Sequence, residues 1–524
     1  MWGQGNRKDI IYARFTFFHH HRAMINWKVR LTGGAILCAS LLLALPAPAQ
    51  LPTLGDTSDM NSSTERKLGE RIAREMYRDP DYIDDPVLDE YVRGIWTRLL
   101  AAARTRGELT PELDDRFAWQ VLLGKDRIIN AFALPGGWLG LQLGLINITA
   151  SSDELASVLA HELSHVTQRH ISRLMTQDSR QAPWMIGAMI LGALAASKNP
   201  EAANALITGG QALAMQNQLN FSRDMEREAD RIGFGVMTQA GFDPQAFVSM
   251  FEKLQQAARL NDNGSFPYLR THPMTTERIA EMQSRQQLAV RPAHARPPDL
   301  VHAMMVGRSR VLSNPGIDGL RRYVSEAEGV TGAASQRARD AGIFYAAALA
   351  SAKLREPAAA GRFVGKLAAL TAGDAPAARL AELLMAEIAL EAGDAARAAS
   401  LVDPAAGGRP ELMLASQARI RVGRAADAAQ RLQTWVAVHP RDAQAWQLLA
   451  EAYTAQGQTL RSIRAEAEAQ VAHLDYQGAM DRFKAAQEIA RKARAGAGDD
   501  IEASIIDARA RQVASLLKEQ ALER

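Results

Sequence analysis

Apolar residues recur at helical spacing among charged ones between residues 63 and 104: Leu68, Ile72 and Met76, then Tyr91, Val92, Ile95 and Leu99. This predicts two amphipathic helices separated by the turn RDPDYIDDP (residues 78–86), with Pro80 and Pro86 as stops. The pattern then shortens. FAWQVLLGKD and RIINAFALPGGWLGLQLGLI (residues 117–146) are brief apolar runs cut by Gly-Lys-Asp and Pro-Gly-Gly, and they predict strands and a hairpin. The Gly-rich part reads either as a plain turn or as an edge strand beside a site. Residues 138–146 are expected to supply that edge, which can pair with an extended peptide.

Helical periodicity returns at Ser151. Ser151 to Glu154 fits a capping box, and Leu155, Val158 and Leu159 supply the buried face of a helix that runs through LASVLAHELSHVTQRH. A further helix is predicted over NFSRDMEREADRIGFGVM (residues 220–237). Between them, Trp184 to Ala196 carries no charge; thirteen residues are short for a membrane span, so a buried helix or a cover over the site is expected. From about residue 340 the texture becomes that of helical hairpins. Gly393, Gly423 and Gly457 recur 30 and 34 residues apart, each closing an apolar helix: LLMAEIALEAG, MLASQARIRVG and WQLLAEAYTAQG. Such units cannot bury their faces alone; they stack into a superhelix with a concave groove, the alternative being a non-repetitive bundle. RPAHARPPD, at 291–299, opens the boundary region.

Composition narrows the partners. The formal charge is only +3, and no basic stripe is interleaved with aromatics, so nucleic acid is not expected. The N-terminal stretch carries two cations within Met24 to Arg30, an apolar run from Ala35 to Leu45, and Ala47 and Ala49 at the −3 and −1 places of a cut. That predicts an export signal over residues 1–49, with the true start at Met24 and His19 to His21 lying upstream of it. The single cysteine, Cys38, falls inside this signal, so the exported chain is expected to hold no disulfide and to reside in the periplasm.

Candidate chemistry sits on the helix after Ser151. His161 and His165, four apart, face the same way, about 5–6 Å apart at Cβ, and can converge on one tetrahedral ion. Glu162 is rotated off that axis and reaches a water on the ion without binding the ion, as the general base of H-E-x-x-H must. Zinc would lower the pKa of that water toward ~7. The pattern is short and needs a third ligand, which Glu226 of EREAD supplies. Asp230, one turn on, is placed to hydrogen-bond a ligand histidine, whereas Glu228 points elsewhere. In YLRTHPMTTERIAEM, His272 precedes a proline and reads as a loop, with Thr275 or Thr276 capping a helix that contains Arg278. His272 would donate to the oxyanion of a tetrahedral intermediate or take the fourth place on the ion, with Arg278 adding charge or fixing its neighbours. His170, His294, His302, His439 and His473 are expected to be exposed.

HELSH, EREAD and THPMTTERI, in this order, resemble the gluzincin metallopeptidases that include the CAAX prenyl proteases and heat-shock protease X. NAFALPGGWLGLQLGLI resembles the strand and hairpin before the zinc helix there, and WQLLAEAYTAQG is similar to a tetratricopeptide repeat. The resemblance spans roughly residues 60–285. It implies one zinc ion on His161, His165 and Glu226, with Glu162 as base, Asp230 in a proton-donor or support role, and His272 and Arg278 completing the site. It also implies clients: outer-membrane β-barrel proteins that misassemble, met at their assembly machinery, with peripheral membrane contact left open. The expected fold is mostly α. An α+β gluzincin domain with a small β-sheet would occupy 50–290, connecting helices 291–340, and an α-solenoid of tetratricopeptide-like repeats 341–524. A chaperone or scaffold with a latent zinc site is the competing expectation.

Overall fold

A computed structural model describes residues 60–177, 222–260, 267–288, 299–313, 315–332, 336–402, 407–492 and 499–522. The predicted export signal, the apolar stretch 184–196 and His294 lie outside the described residues.

The first two predicted helices are present. α1 (Ser62–Arg78) is capped by Asn61 and buries Leu68 and Ile72. α2 (Pro86–Arg106) has Asp85 as its cap and Pro86 in its first turn, where a missing N–H costs nothing. The turn between them contributes a two-residue strand, β1 (Tyr82–Ile83). A short α3 (Pro111–Arg116) leads into β2 (Gln120–Gly124), β3 (Ala131–Leu134) and β4 (Trp138–Gln142). The sheet order is β1-β2-β4-β3, with β2 parallel to β4 and the other two pairings antiparallel.

This order corrects one expectation. Trp138–Gln142 is hydrogen-bonded on both sides and is interior, and Leu143–Ile148 continues as a helix, α4, so 138–146 is not the free edge. The turn decides it. Gly136 and Gly137 adopt φ of 72° and 82°, values open to glycine, and fold β3 back outside β4. The edge strand on this side of the sheet is therefore Ala131–Leu134, with β1 at the other edge.

α5 (Ser152–Thr167) is buried along nearly its whole length. It is capped by Ser151, which accepts from the Glu154 N–H at 3.2 Å. α6 (His170–Gln177) follows a break at Arg169, whose φ is 52°. α7 (Arg223–Gln239) crosses α5 at Gly233, where a Cβ would lie 3.1 Å from the backbone of Ala160 and His161. The lack of a side chain lets the two helices close up. α8 (Gln245–Leu260), α9 (Pro267–Thr271) and α10 (Thr276–Leu288) complete this part.

Helices then follow one another to the C-terminus: α11 (Leu300–Leu312), α12 (Gly316–Glu328), α13 (Arg337–Lys353), α14 (Pro357–Thr371), α15 (Ala375–Glu391), α16 (Ala395–Leu401), α17 (Arg409–Arg421), α18 (Ala425–Val438), α19 (Ala443–Ala455), α20 (Thr459–Ala472), α21 (Tyr476–Lys492) and α22 (Asp499–Ala521). α11 and α12 both pack on α13, and from α13 on each helix packs on its neighbour in sequence. Gly393, Gly423 and Gly457 stand in the left-handed region just past α15, α17 and α19, ending each helix where a side chain would be strained. The architecture is mostly α with one small mixed sheet and a C-terminal run of paired helices. One hydrophobic core runs from α1 and the sheet through α5 and on to α15, while the later helices form smaller clusters. Among the described residues no helix is long and apolar enough to cross a membrane.

Candidate metal centre

α5 presents His161 and His165 to one interior point, and both are buried, as is Glu162 between them. α7 brings Glu226 and the turn after α9 brings His272. The four offer ligand atoms all within 4.8 Å of one another. His161 Nε2 lies 3.0 Å from His165 Nε2, 3.5 Å from Glu226 Oε2 and 3.3 Å from His272 Nδ1. Glu226 Oε1 is 3.4 Å from His165 Nε2 and 3.0 Å from His272 Nδ1. A tetrahedron with ligand bonds of about 2.0–2.1 Å has edges of about 3.3 Å, so these separations fit one small cation.

A ring of charge holds the cluster. Asp230 Oδ1 is 2.9 Å from His161 Nδ1. The Arg278 guanidinium donates to both Asp230 oxygens, at 2.7 and 2.8 Å, and its Nη1 is 2.7 Å from Glu226 Oε2. Thr275 caps α10 by accepting from the Arg278 N–H at 3.3 Å, which fixes where the guanidinium starts. His272 stacks on Tyr268, ring centres 4.7 Å apart.

Three histidines depart from expectation. His170 is fully buried, its Nδ1 2.9 Å from His165 Nδ1 and its Nε2 3.0 Å from Glu228 Oε2. Had α5 continued, residue 170 would have projected away from the metal face; the break at Arg169 swings it back. Glu228 does point elsewhere than the cluster, but toward His170. His302, in the first turn of α11, is buried between Tyr91 Oη, 2.6 Å away, and the Thr149 carbonyl at 3.1 Å. His473 is half-buried and stacks on Tyr77 at 4.6 Å. His439 is exposed and stacks on Trp435. The one sequence hint for His170 was a histidine so soon after HELSH, and nothing local announced a non-glycine left-handed residue before it.

Glu162 is held at one end only. Its Oε2 accepts from the Ala133 N–H of the edge strand at 2.9 Å. Its Oε1, buried and 3.4 Å from His272 Nε2, accepts no hydrogen bond. A buried carboxylate oxygen left this way wants a donor, and a water on a cation in the cluster would be one. Electrostatics agree. Burial pushes the Glu162 carboxyl up, against the pull of His272 and His161. Burial alone would strip His161 of a proton, but the Asp230 and Glu226 carboxylates outweigh it and lift the imidazole to about 9. Burial and the His161 charge hold His165 well below its ordinary value, and burial holds His170 down to about 4. Burial would raise Glu226, yet His272, His161 and Arg278 keep it well below the carboxylate range. Two carboxylates thus converge on imidazoles that must be neutral to ligate, an anionic cavity suited to a divalent ion.

Residues 93–286 match the sequence profile of peptidase family M48. This segment is a peptidase family M48 domain. The M48 domain contains His161, Glu162, His165, Glu226, Asp230, His272 and Arg278. A second profile, described as a bacterial transcriptional activator domain, matches residues 411–470, which lie in the paired helices α17 to α20. Among curated proteins, a beta-barrel assembly-enhancing protease of Escherichia coli (strain K12) is 34% identical over 259 residues, 48% of this chain and 51% of its own. A Vibrio cholerae protein provisionally given the same name is 36% identical over 240 residues, 45% of this chain and 48% of its own. The mitochondrial metalloendopeptidase OMA1 of Arabidopsis thaliana is 30% identical over 195 residues, 37% of this chain and 36% of its own. The chain spans about half the length of the curated beta-barrel assembly-enhancing proteases it matches, and about a third of the plant metalloendopeptidase. All three names are those of proteases.

Proposed function

We propose that the chain is a zinc-dependent endopeptidase of the cell envelope, exported by residues 1–49 and acting in the periplasm on misassembled outer-membrane β-barrel proteins. Residues 50–290 would be the peptidase domain and 291–340 connecting helices. Residues 341–524 would be a repeat domain that binds substrate or the assembly machinery. The observation that carries the activity is the tetrahedral spacing of His161, His165 and Glu226 beside the unpartnered Oε1 of Glu162.

His161 Nε2, His165 Nε2 and Glu226 would hold the ion. Bound zinc supplies Lewis acidity and lowers the pKa of a water toward ~7. The outer edge of Ala131–Leu134 receives the substrate backbone as an added strand, next to the Ala133 N–H that orients Glu162. Glu162 Oε1 takes a proton from the attacking water and returns it to the leaving amine nitrogen; its raised pKa suits both acts. Asp230 fixes the His161 ring, and Arg278 ties Asp230 to Glu226. His272 Nδ1, 3.3 Å from His161 Nε2 and 3.0 Å from Glu226 Oε1, would serve as a fourth ligand and so would close the site to a substrate carbonyl. Swung outward, His272 would donate to the developing oxyanion.

That fourth-corner histidine also favours a second reading, in which the site is latent and the helices act as a chaperone or scaffold. Glu162→Gln separates the two. The peptidase reading expects zinc retained and cleavage of an unfolded β-barrel substrate lost. Cleavage at the native rate would reject it, and unimpaired rescue of barrel assembly by the cleavage-dead variant would favour the scaffold.

A further inference from the structure

Two histidines face the cluster from α5, and each needs its second nitrogen engaged. A ligand imidazole that binds through Nε2 carries its proton on Nδ1, and the acceptor for that proton sets the tautomer and the ring's rotation. For His161 the group at Nδ1 is the Asp230 carboxylate, 2.9 Å away. For His165 no carboxylate among the described residues is paired with Nδ1. What stands there, at 2.9 Å, is Nδ1 of His170.

We propose that Glu228 and His170 form a hydrogen-bonded chain that positions His165 for the metal, an inference that rests on the zinc site of the preceding section. The direction of the chain is fixed by the ligand role. With Nε2 of His165 given to the ion, its Nδ1–H donates to His170 Nδ1, which must be bare. His170 then carries its proton on Nε2 and donates it to Glu228 Oε2, 3.0 Å away. Arg173 Nη1 donates to the same oxygen at 2.8 Å and holds the carboxylate in place. Each nitrogen in the chain then has one role and each role is filled. Glu228 thereby does through one imidazole for His165 what Asp230 does directly for His161. EREAD thus serves three times: Glu226 at the ion, Asp230 behind one histidine, Glu228 behind the other.

The backbone is built for this delivery. Arg169 holds φ 52°, a left-handed conformation that non-glycine residues adopt only at a cost. Its guanidinium is anchored to Glu65 at 3.1 Å and to Ser172 at 3.1 Å, with a further bond to the Met60 carbonyl. Without that reversal His170 would sit off the far side of α5. His170 and Glu228 touch neither substrate nor ion; they are positioning residues.

The test uses the full chain, stripped of metal and titrated with Zn2+ against a chromophoric chelator, with Co2+ absorption as a second readout. His170→Phe fills the volume but offers no acceptor; His170→Asn restores an acceptor near the place of Nδ1; Glu228→Gln weakens the far end at a partly exposed position. Zinc affinity should fall roughly 10- to 100-fold in His170→Phe, fall less in Glu228→Gln, and return toward native in His170→Asn. The Co2+ visible bands should move in the first two variants. Affinity and spectrum unchanged in His170→Phe and Glu228→Gln, with only the melting temperature lowered, would overturn the chain and leave His170 a packing residue. Should His170→Phe not fold, the ordering of Glu228→Gln below His170→Asn and native decides, and equal affinities reject the proposal. Native protein that takes up no zinc would instead sink the zinc site itself.

Discussion

Arg308 grips Asp85 through two hydrogen bonds, 2.8 Å from Nε to Oδ1 and 2.6 Å from Nη2 to Oδ2, across 223 positions of sequence. Asp85 also caps α2 by accepting from the Leu88 N–H at 2.9 Å. The remaining face of the guanidinium holds Glu387 of α15 at 2.7 Å and Tyr345 of α13 at 3.0 Å. One buried cation thus ties the start of α2, just ahead of the M48 segment, to the helices beyond that segment. Arg379 repeats the arrangement between Glu90 and Glu411, and Arg409 between Asp84 and Asp442.

Arg308→Met should destabilise the protein by about 3–5 kcal/mol, because it strands Asp85 and Glu387 with no counter-charge. Chemical denaturation at neutral pH measures this. The sign of the pH dependence should also invert. In the native chain burial would raise Asp85, but Arg308 outweighs it and holds the carboxyl below its ordinary value. A depressed folded pKa gives stability that is complete above the unfolded value near ~4 and lost as pH falls through the folded one. Without Arg308 burial wins, the folded pKa is raised, and the variant should gain stability on acidification from neutral toward ~4. Parallel acid limbs in the two proteins would refute this account.

Zinc uptake should grow stronger with pH. With no ion, His161 is lifted to about 9, so below that value it carries a proton the metal must displace. Apparent affinity should rise about tenfold per unit between pH 7 and 8 and level off past 9. Asp230→Asn removes one of the carboxylates that lift His161, so its slope over the same range should be shallower. Chelator competition at stepped pH reads both.

His272→Ala should leave zinc bound by three ligands and free the fourth corner. Cleavage of an unfolded substrate is then expected to rise several-fold at low substrate, where a closed site limits turnover. A fall in kcat with unchanged KM would mean that the oxyanion role outweighs closure.

Gly233→Ala tests whether helix contact sets the site. A Cβ there would meet the Ala160 and His161 backbone at 3.1 Å, and backbone cannot step aside as a side chain can. Destabilisation of about 1–3 kcal/mol is expected, with weaker zinc binding because α7 carries Glu226. Native affinity in this variant would show that α5 and α7 tolerate separation.

Much of the site was legible because its spacing is local. His161, Glu162 and His165 lie within one helical turn and a half, and Glu226 and Asp230 within another, so periodicity alone put the two histidines on one face with Glu162 beside it, and the two carboxylates on another. The strands were legible from their apolar runs and the Pro-Gly-Gly between them. Which strand became the edge was not, since pairing order is a choice among partners that the runs do not encode. His170 escaped for a related reason: a helical wheel assumes an unbroken helix, and the reversal at Arg169 is held by Glu65, a hundred positions earlier.

The chain by itself determined which residues are candidate ligands, which helices carry them, and many of the helix ends, because capping, periodicity and glycine conformation act over a few neighbours. Only tertiary structure decided that His272 joins His161, His165 and Glu226 in one cluster, that Ala131–Leu134 faces Glu162, and that the carboxylates at the start of α2 are met by arginines from α11, α15 and α17. Those outcomes depend on burial and on charges brought together from distant positions, and such energies exist only after the chain has closed around them.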